Sequence, residues 1–252
     1  MQGISGLELL VKIKSQDPSI DVILVTANAD LESALFSLKH GARDFLLKPI
    51  RSDELLHAVR LSMEQRRLLD ENVELRNMLG LLQTSQALSS CLDLEGVCHL
   101  AVDALAREAG VGRGIGLVQL DGEFIIKELK GVDATTGTLV HKLLASSFRK
   151  RSSRKGQPVR LLLPAGHEEL DRADLREAVL FPLVIRNSCH GMVILLNDPN
   201  QVFPTLKSER NISFLEEHGA RALDNALRFT STRDLLYIDE LSGLFNYRYL
   251  KI

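Results

Sequence analysis

The 252-residue chain has no tryptophan, three cysteines and almost no net charge, with 31 Lys and Arg against 33 Asp and Glu. Each scarcity excludes something. A formal charge of −2 supplies no global field to draw in nucleic acid or an anionic membrane. Cys91, Cys98 and Cys189 are an odd set without a C-x-x-C pair, which suits neither a disulfide framework nor a zinc site. The longest apolar runs, such as Ala178 to Ile185, fall far short of the roughly 20 residues needed to span a bilayer. No charged-then-apolar signal segment opens the chain, so a reduced cytoplasmic compartment is the expectation. What is present, 45% hydrophobic and 25% charged residues, is the balance of ordinary folded domains.

The pattern divides into five stretches. Residues 1–50 alternate helical and strand-like segments at short spacing, which predicts a parallel α/β unit. Leu7 to Lys14 reads as an amphipathic helix and Asp21 to Thr26 as a strand buried on both faces. Leu31 to His40 reads as a helix stopped by Gly41, and Phe45 to Leu47 as a second strand running into Lys48-Pro49. Residues 51–90 read as one long helix, 91–205 as strands and helices broken by Gly and Pro, and 206–236 as a second long helix. An Asp121-Gly122 turn predicts a hairpin between GIGLVQL and EFIIKEL. The middle region predicts an antiparallel sheet with helices on one face.

The segments MQGISGLELL, VILVTA and GARDFLLKP, in that order, resemble the response-regulator receiver domain of two-component signalling. The resemblance implies the C-terminal part of a doubly wound fold over residues 1–60. It implies that the Thr26 hydroxyl and the Lys48 ammonium approach a phosphoryl group on an aspartate, with Mg²⁺ at the site. A donor hydroxyl and a compact cation suit the added negative charge of a phosphate. Phe45 matches the family's switching aromatic, and Lys48-Pro49 its cis peptide bond. In the family the phosphorylated aspartate lies three residues before the position of Met1, so the expectation is a fragment without its phosphoacceptor. A sensor histidine kinase is the implied partner.

Within the first long helix Leu61, Leu68, Leu75 and Leu82 recur every seven residues. With these at d, the a positions hold Gln65, Asn72 and Leu79, and an Asn at a favours a parallel dimer. The expectation is a coiled-coil linker over residues 61–81 that joins a homodimer. In the second long helix Ile212, Leu215, Gly219, Ala222, Ala226 and Phe229 follow steps of three and four, continuing to Arg233 and Leu236. Its small residues predict a second close helix–helix seam on the dimer axis.

Residues 82–229 resemble a GAF sensor domain through ALSSCLDLEGVCHLAVDALARE, GQPVRL, VLFPLVIRNSCHGMVILL and ALDNALRF. The pair Cys189-His190 is similar to the bilin-holding pair of some GAF domains, but the pattern places it in a hairpin turn outside the pocket. Cys98 reads as a small buried thiol on a helix. No histidines show metal-ligand spacing, and the Asn-Lys-Phe-Asp-Glu set of cyclic-nucleotide GAF domains is absent, so the ligand stays unassigned. The basic run Arg149, Lys150, Arg151, Arg154 and Lys155 lacks the aromatic platforms of a nucleic-acid site and reads as a solvated helix end.

Residues 230–252 read as a signalling helix followed by DELSGLFNYRYL, which resembles the opening D-x-L-T-G-L-x-N-R-R-x-L of a GGDEF domain. That family makes cyclic di-GMP from two GTP molecules across a dimer with Mg²⁺. Asn246 matches its guanine-reading asparagine, a role suited to a side chain that both donates and accepts. The signature loop and metal carboxylates of the family would follow Ile252, so no catalytic residue is expected within the 252 residues. The fold class expected is α/β and α+β multidomain, and the function a bacterial sensor and relay module of a diguanylate cyclase. The rival reading is a non-catalytic protein, either a scaffold or a nucleotide binder with a degenerate GGDEF domain, for which Tyr247 in place of Arg is the hint.

Overall fold

Ser5 and Glu8 form a reciprocal capping box at the first helix. The Ser5 hydroxyl accepts from the Glu8 amide at 3.2 Å, while the Ser5 amide donates to Glu8 Oε2 at 2.9 Å. They open α1 (Gly6–Gln16) in a computed structural model that describes residues 4–27, 30–151, 158–186, 188–206 and 208–237. Contacts divide the chain into two compact units, residues 1–78 and 79–252.

The first unit continues with β1 (Ile23–Thr26), α2 (Leu31–Lys39) and β2 (Asp44–Leu47). The strands pair in parallel, Ile23 with Asp44 through Thr26 with Leu47. Asp30 caps α2 by accepting from the Ser33 amide at 2.5 Å, and Gly41, at φ 87°, takes the left-handed conformation that stops it. The two strands lie where the alternation of residues 1–50 places them. A single helix, α3 (Ser52–Ser90), then runs for 39 residues. Ala58 and Ser62 are its buried positions in the first unit, and Arg66 ties it down by donating to the Ser19 carbonyl at 2.7 Å. Gly80 lies inside this helix, and a Cβ there would meet nothing within 4 Å. Gly80→Ala is therefore expected to raise stability by about 0.5–1 kcal/mol, read as a higher denaturation midpoint.

The second unit holds α4 (Leu94–Ala109), β3 (Arg113–Leu120), β4 (Glu123–Lys130), α5 (Ala134–Arg151), β5 (Val159–Leu162), α6 (Glu168–Arg172), β6 (Glu177–Ile185), β7 (Ser188–Leu196) and α7 (Glu209–Tyr237). The strands form one antiparallel sheet in the order β4-β3-β7-β6-β5. Asp121 and Gly122, at φ 50° and 84°, make the expected hairpin, with both central residues at the positive φ of a type I′ turn.

Helices cover both faces of this sheet, not one. Val118, Val179, Phe181, Leu183, Val193 and Leu195 pack with α4, α7 and Leu88 of α3. The alternate residues Ile115, Leu117, Leu180, Met192, Ile194 and Leu196 pack with Val140, Leu144 and Phe148 of α5 and Leu170 of α6. The reason is in the strands themselves. AVLFPLVI and GMVILL are continuous apolar runs, which need cover on both sides. Gly114 lets α4 sit low on the sheet, since a Cβ there would lie 2.8 Å from Val102 Cγ1.

The α7 stripe also differs from expectation. Ile212, Leu215, Ala222 and Ala226 are buried in the unit's own core, so they form no dimer seam. A Cβ on Gly219 would meet Leu183 Cδ2 at 3.5 Å and Ala101 Cβ at 3.7 Å, so the small residues admit α4 and β6. Period alone does not say whether a stripe faces a partner or its own sheet. Phe229 is exposed, and the side chains of Arg233 and Leu236 lie outside the described ones. Among the described residues no helix is long and apolar enough to cross a membrane.

Candidate functional site

The parallel ladder of the first unit ends by bringing two of the singled-out residues together. Beyond the Thr26–Leu47 pair, the Lys48 amide donates to the Thr26 carbonyl at 2.7 Å. Thr26 and Lys48 therefore stand side by side at the carboxyl ends of adjacent strands, where open α/β sheets bind ligands. Parallel register gives Leu24 and Thr26 the same face as Phe45 and Leu47. Phe45 is half-buried, Lys48 is exposed, and Lys48-Pro49 is cis. Asp30 lies four residues past Thr26, where hydrogen bonds from Ser33 hold its carboxylate below the ordinary aspartate range.

This end of the ladder sets a residue with a short hydroxyl beside one with a long-stemmed cation. Among the described residues no three His, Cys, Asp or Glu side chains converge as metal ligands. The Mg²⁺ implied by the receiver resemblance therefore has no ligand set among the described residues.

The cysteines of the second unit are structural in their surroundings. Cys189 and His190 lie within β7, not in the turn, and Cys189 is buried on the sheet face shared with α5 and α6. Its Sγ lies 3.1 Å from the Gly191 carbonyl, and burial pushes the thiol up to about 11. Strand β7 starts at Ser188 because Ile185 pairs with Ser188, which leaves a connection too short to include Cys189. Cys98 is buried as expected, and desolvation lifts its thiol to about 12. Both are thiols, not thiolates, at neutral pH, and so poor nucleophiles.

Two polar features of this unit were not foreseen. Ser85 of α3 and His218 of α7 meet at 2.7 Å between Ser85 Oγ and His218 Nδ1. Glu216 is 6% exposed, its Oε1 has no hydrogen-bond partner, and burial raises its carboxyl to about 8. The one signal for Glu216 is its place between Ile212 and Leu223 on the buried stripe of α7. Asn246 lies outside the described residues, as do Arg154 and Lys155 and the side chains of Arg149, Lys150 and Arg151.

Residues 1–60 match the response regulator receiver domain family. The C4-dicarboxylate transport transcriptional regulatory protein DctD of Pseudomonas aeruginosa is 47% identical over 80 residues, 32% of this chain and 17% of that protein. The transcriptional regulatory protein FixJ of Azorhizobium caulinodans is 35% identical over 116 residues, 44% of this chain and 53% of its own length. The chain thus spans about a sixth to a half of the length of these two relatives. Among solved structures, the GAF domain of a putative sensor histidine kinase from Pseudomonas syringae pv. tomato is 18% identical. It covers 69% of this chain and 97% of that one, with a TM-score of 0.44. Residues 1–60 therefore carry receiver-domain sequence, and the second unit is a mixed α/β fold built on a five-stranded antiparallel sheet.

Proposed function

We propose that the chain is the input and relay portion of a dimeric cytoplasmic response regulator whose output is a diguanylate cyclase. The observation that carries the input half is the pairing of Lys48 with Thr26 at the ends of β1 and β2. A phosphoryl group delivered by a sensor histidine kinase to an aspartate of the receiver would take a hydrogen bond from Thr26 and charge neutralisation from Lys48. Phe45, on the Thr26 face, is the aromatic that would repack when Thr26 moves. The second unit then acts as a GAF-type sensor, and α3 is the continuous element leading into it.

The output half rests on the run from Asp239 to Leu250, with Asn246 as the guanine-reading residue and GTP as substrate. The likeness to DctD covers 32% of this chain and so bears on the input alone.

The test uses a full-length protein carrying the receiver aspartate, with cyclic di-GMP formation from GTP followed with and without a phosphoryl donor. Thr26→Ala and Lys48→Ala are each expected to cut the phosphorylation-dependent increase about tenfold, the worth of one charge-assisted hydrogen bond. Full stimulation in both variants would remove the input reading. A normal phosphorylation level with no cyclic di-GMP would instead favour the scaffold reading.

A further inference from the structure

The apolar stripe of α7 outruns the helix that covers it. Helices α4 and α7 run antiparallel. Asn211 Nδ2 donates to Glu108 Oε1 at 2.9 Å near one end, and a Cβ on Gly219 would meet Ala101 Cβ at 3.7 Å midway. Ala222 and Ala226 stay buried, but α4 begins only at Leu94, and Phe229 is left 47% exposed beyond it. The chain before α4 folds back beside this overhang. Gly96 permits the close fold, since a Cβ there would lie 2.8 Å from Cys91 Sγ. Between these segments and β4 lies a cavity of about 460 Å³, within the range of small-molecule sites.

Leu92, Leu94 and the Phe229 ring supply its apolar wall. The polar lining is mostly acceptors. Asp93 uses Oδ2 to cap α4, accepting from the Gly96 amide at 2.8 Å, while its Oδ1 accepts from nothing among the described residues. Thr230 donates its hydroxyl hydrogen to the Ala226 carbonyl at 3.0 Å, which leaves the oxygen able to accept. Lys127 is the one cation of the lining, and it already sits 3.4 Å from a carboxylate oxygen of Glu95. Two carboxylates against one ammonium leave the cavity with a surplus negative charge.

We infer that this cavity binds a small organic cation, an ammonium carried on an apolar or aromatic body. Asp93 Oδ1 and Thr230 Oγ1 accept its N–H groups, and the exposed face of Phe229 attracts its charge. Leu92 and Leu94 take the body. An anion would face a lining of its own sign whose one donor is engaged, and a neutral body would leave the surplus carboxylate unanswered. The site gives the sensor reading proposed above a ligand class. It rests on that reading for its consequence alone, because binding is measured without a phosphoryl donor or GTP.

The experiment titrates the whole chain with 2-phenylethylamine and follows amide chemical shifts. The neutral and anionic counterparts are 2-phenylethanol and 3-phenylpropionate. The amine is expected to shift the amides of Leu92 to Glu95 and of Phe229 and Thr230. It is expected to bind about tenfold more tightly than either counterpart, the worth of one charge-assisted contact. Asp93→Asn keeps the cap and removes the charge, while Phe229→Leu keeps an apolar side chain and removes the ring. Each is expected to weaken amine binding about three- to tenfold. Equal binding of the three compounds overturns the proposal, as does tighter binding of the propionate. So do shifts confined to other residues, amine binding unchanged in both variants, and no amine binding up to about 10 mM, the weak end for a fragment-sized ligand. Amine binding that disappears as the protein is concentrated would assign the cavity to a second copy of the chain, and overturns it too. Any of these leaves the Thr26–Lys48 reading standing, and failure of the phosphoryl test leaves this site standing.

Discussion

Glu216→Gln is expected to outlast the wild type in urea at pH 8 and to lose most of that advantage at pH 5. The carboxyl of Glu216 is raised to about 8 by burial, with Oε1 unbonded, so the folded protein keeps it protonated at neutral pH. The unfolded chain releases the proton near the ordinary glutamate value. Between those two values the native state binds more protons than the unfolded one, so wild-type stability falls as pH rises from about 4.5 to 8. It levels off above that window. The accumulated penalty is on the order of 2–4 kcal/mol by pH 8, taking the linkage of roughly 1.4 kcal/mol per unit with allowance for local relaxation. A glutamine has no proton to lose, so its curve should be flatter by that amount. Urea midpoints at pH 5, 6.5 and 8 decide the matter, and equal slopes for the two proteins would show that Glu216 finds a partner in solution.

Gly191→Ala is the substitution expected to do most harm. Gly191 sits in β7, the central strand, opposite Val118 of β3 and Leu183 of β6. A Cβ there would come within 2.4 Å of the Leu117 carbonyl oxygen and 2.5 Å of Leu223 Cδ2. The leucine methyl can turn aside, but the carbonyl belongs to the neighbouring strand and moves only if the ladder moves. The expected cost is about 2–4 kcal/mol, in the range of overpacked cores, with loss of the β3–β7 ladder as the structural mark. Hydrogen exchange of the β3 and β7 amides reads it directly. Protection equal to that of the wild type would mean that the sheet accommodates the methyl at no cost.

The placement of Thr26 and Lys48 at neighbouring strand ends was legible in advance because its signals are local. Thr26 ends an apolar run and Lys48 precedes a proline, and each sits at a strand end for reasons within a few residues of itself. Their adjacency follows from two parallel strands joined through one helix, the connection such a pair requires. The hairpin at Asp121-Gly122 was legible for the same reason, since a type I′ turn needs residues that accept positive φ. Glu216 and the Ser85–His218 contact were not, because each depends on which helices meet, and no short stretch of chain contains that information.

Periodicity and turn chemistry alone account for the two long helices, the Asp121-Gly122 hairpin, the strands and helix of residues 23–47 and the seven-residue repeat of α3. Tertiary structure decided what each apolar stripe is for. Ile212, Leu215, Ala222 and Ala226 have the spacing of a seam, yet the sheet takes them. Leu61, Leu68, Leu75 and Leu82 have the same kind of spacing, yet they stay exposed. Cys189, which the pattern put in a turn, is drawn into the core by the register of β6 against β7. The physical reason is common to all three. Hydrophobic burial is non-directional, so spacing marks which side of an element is apolar, while the surface that covers it is selected by whichever chain segment the fold brings there.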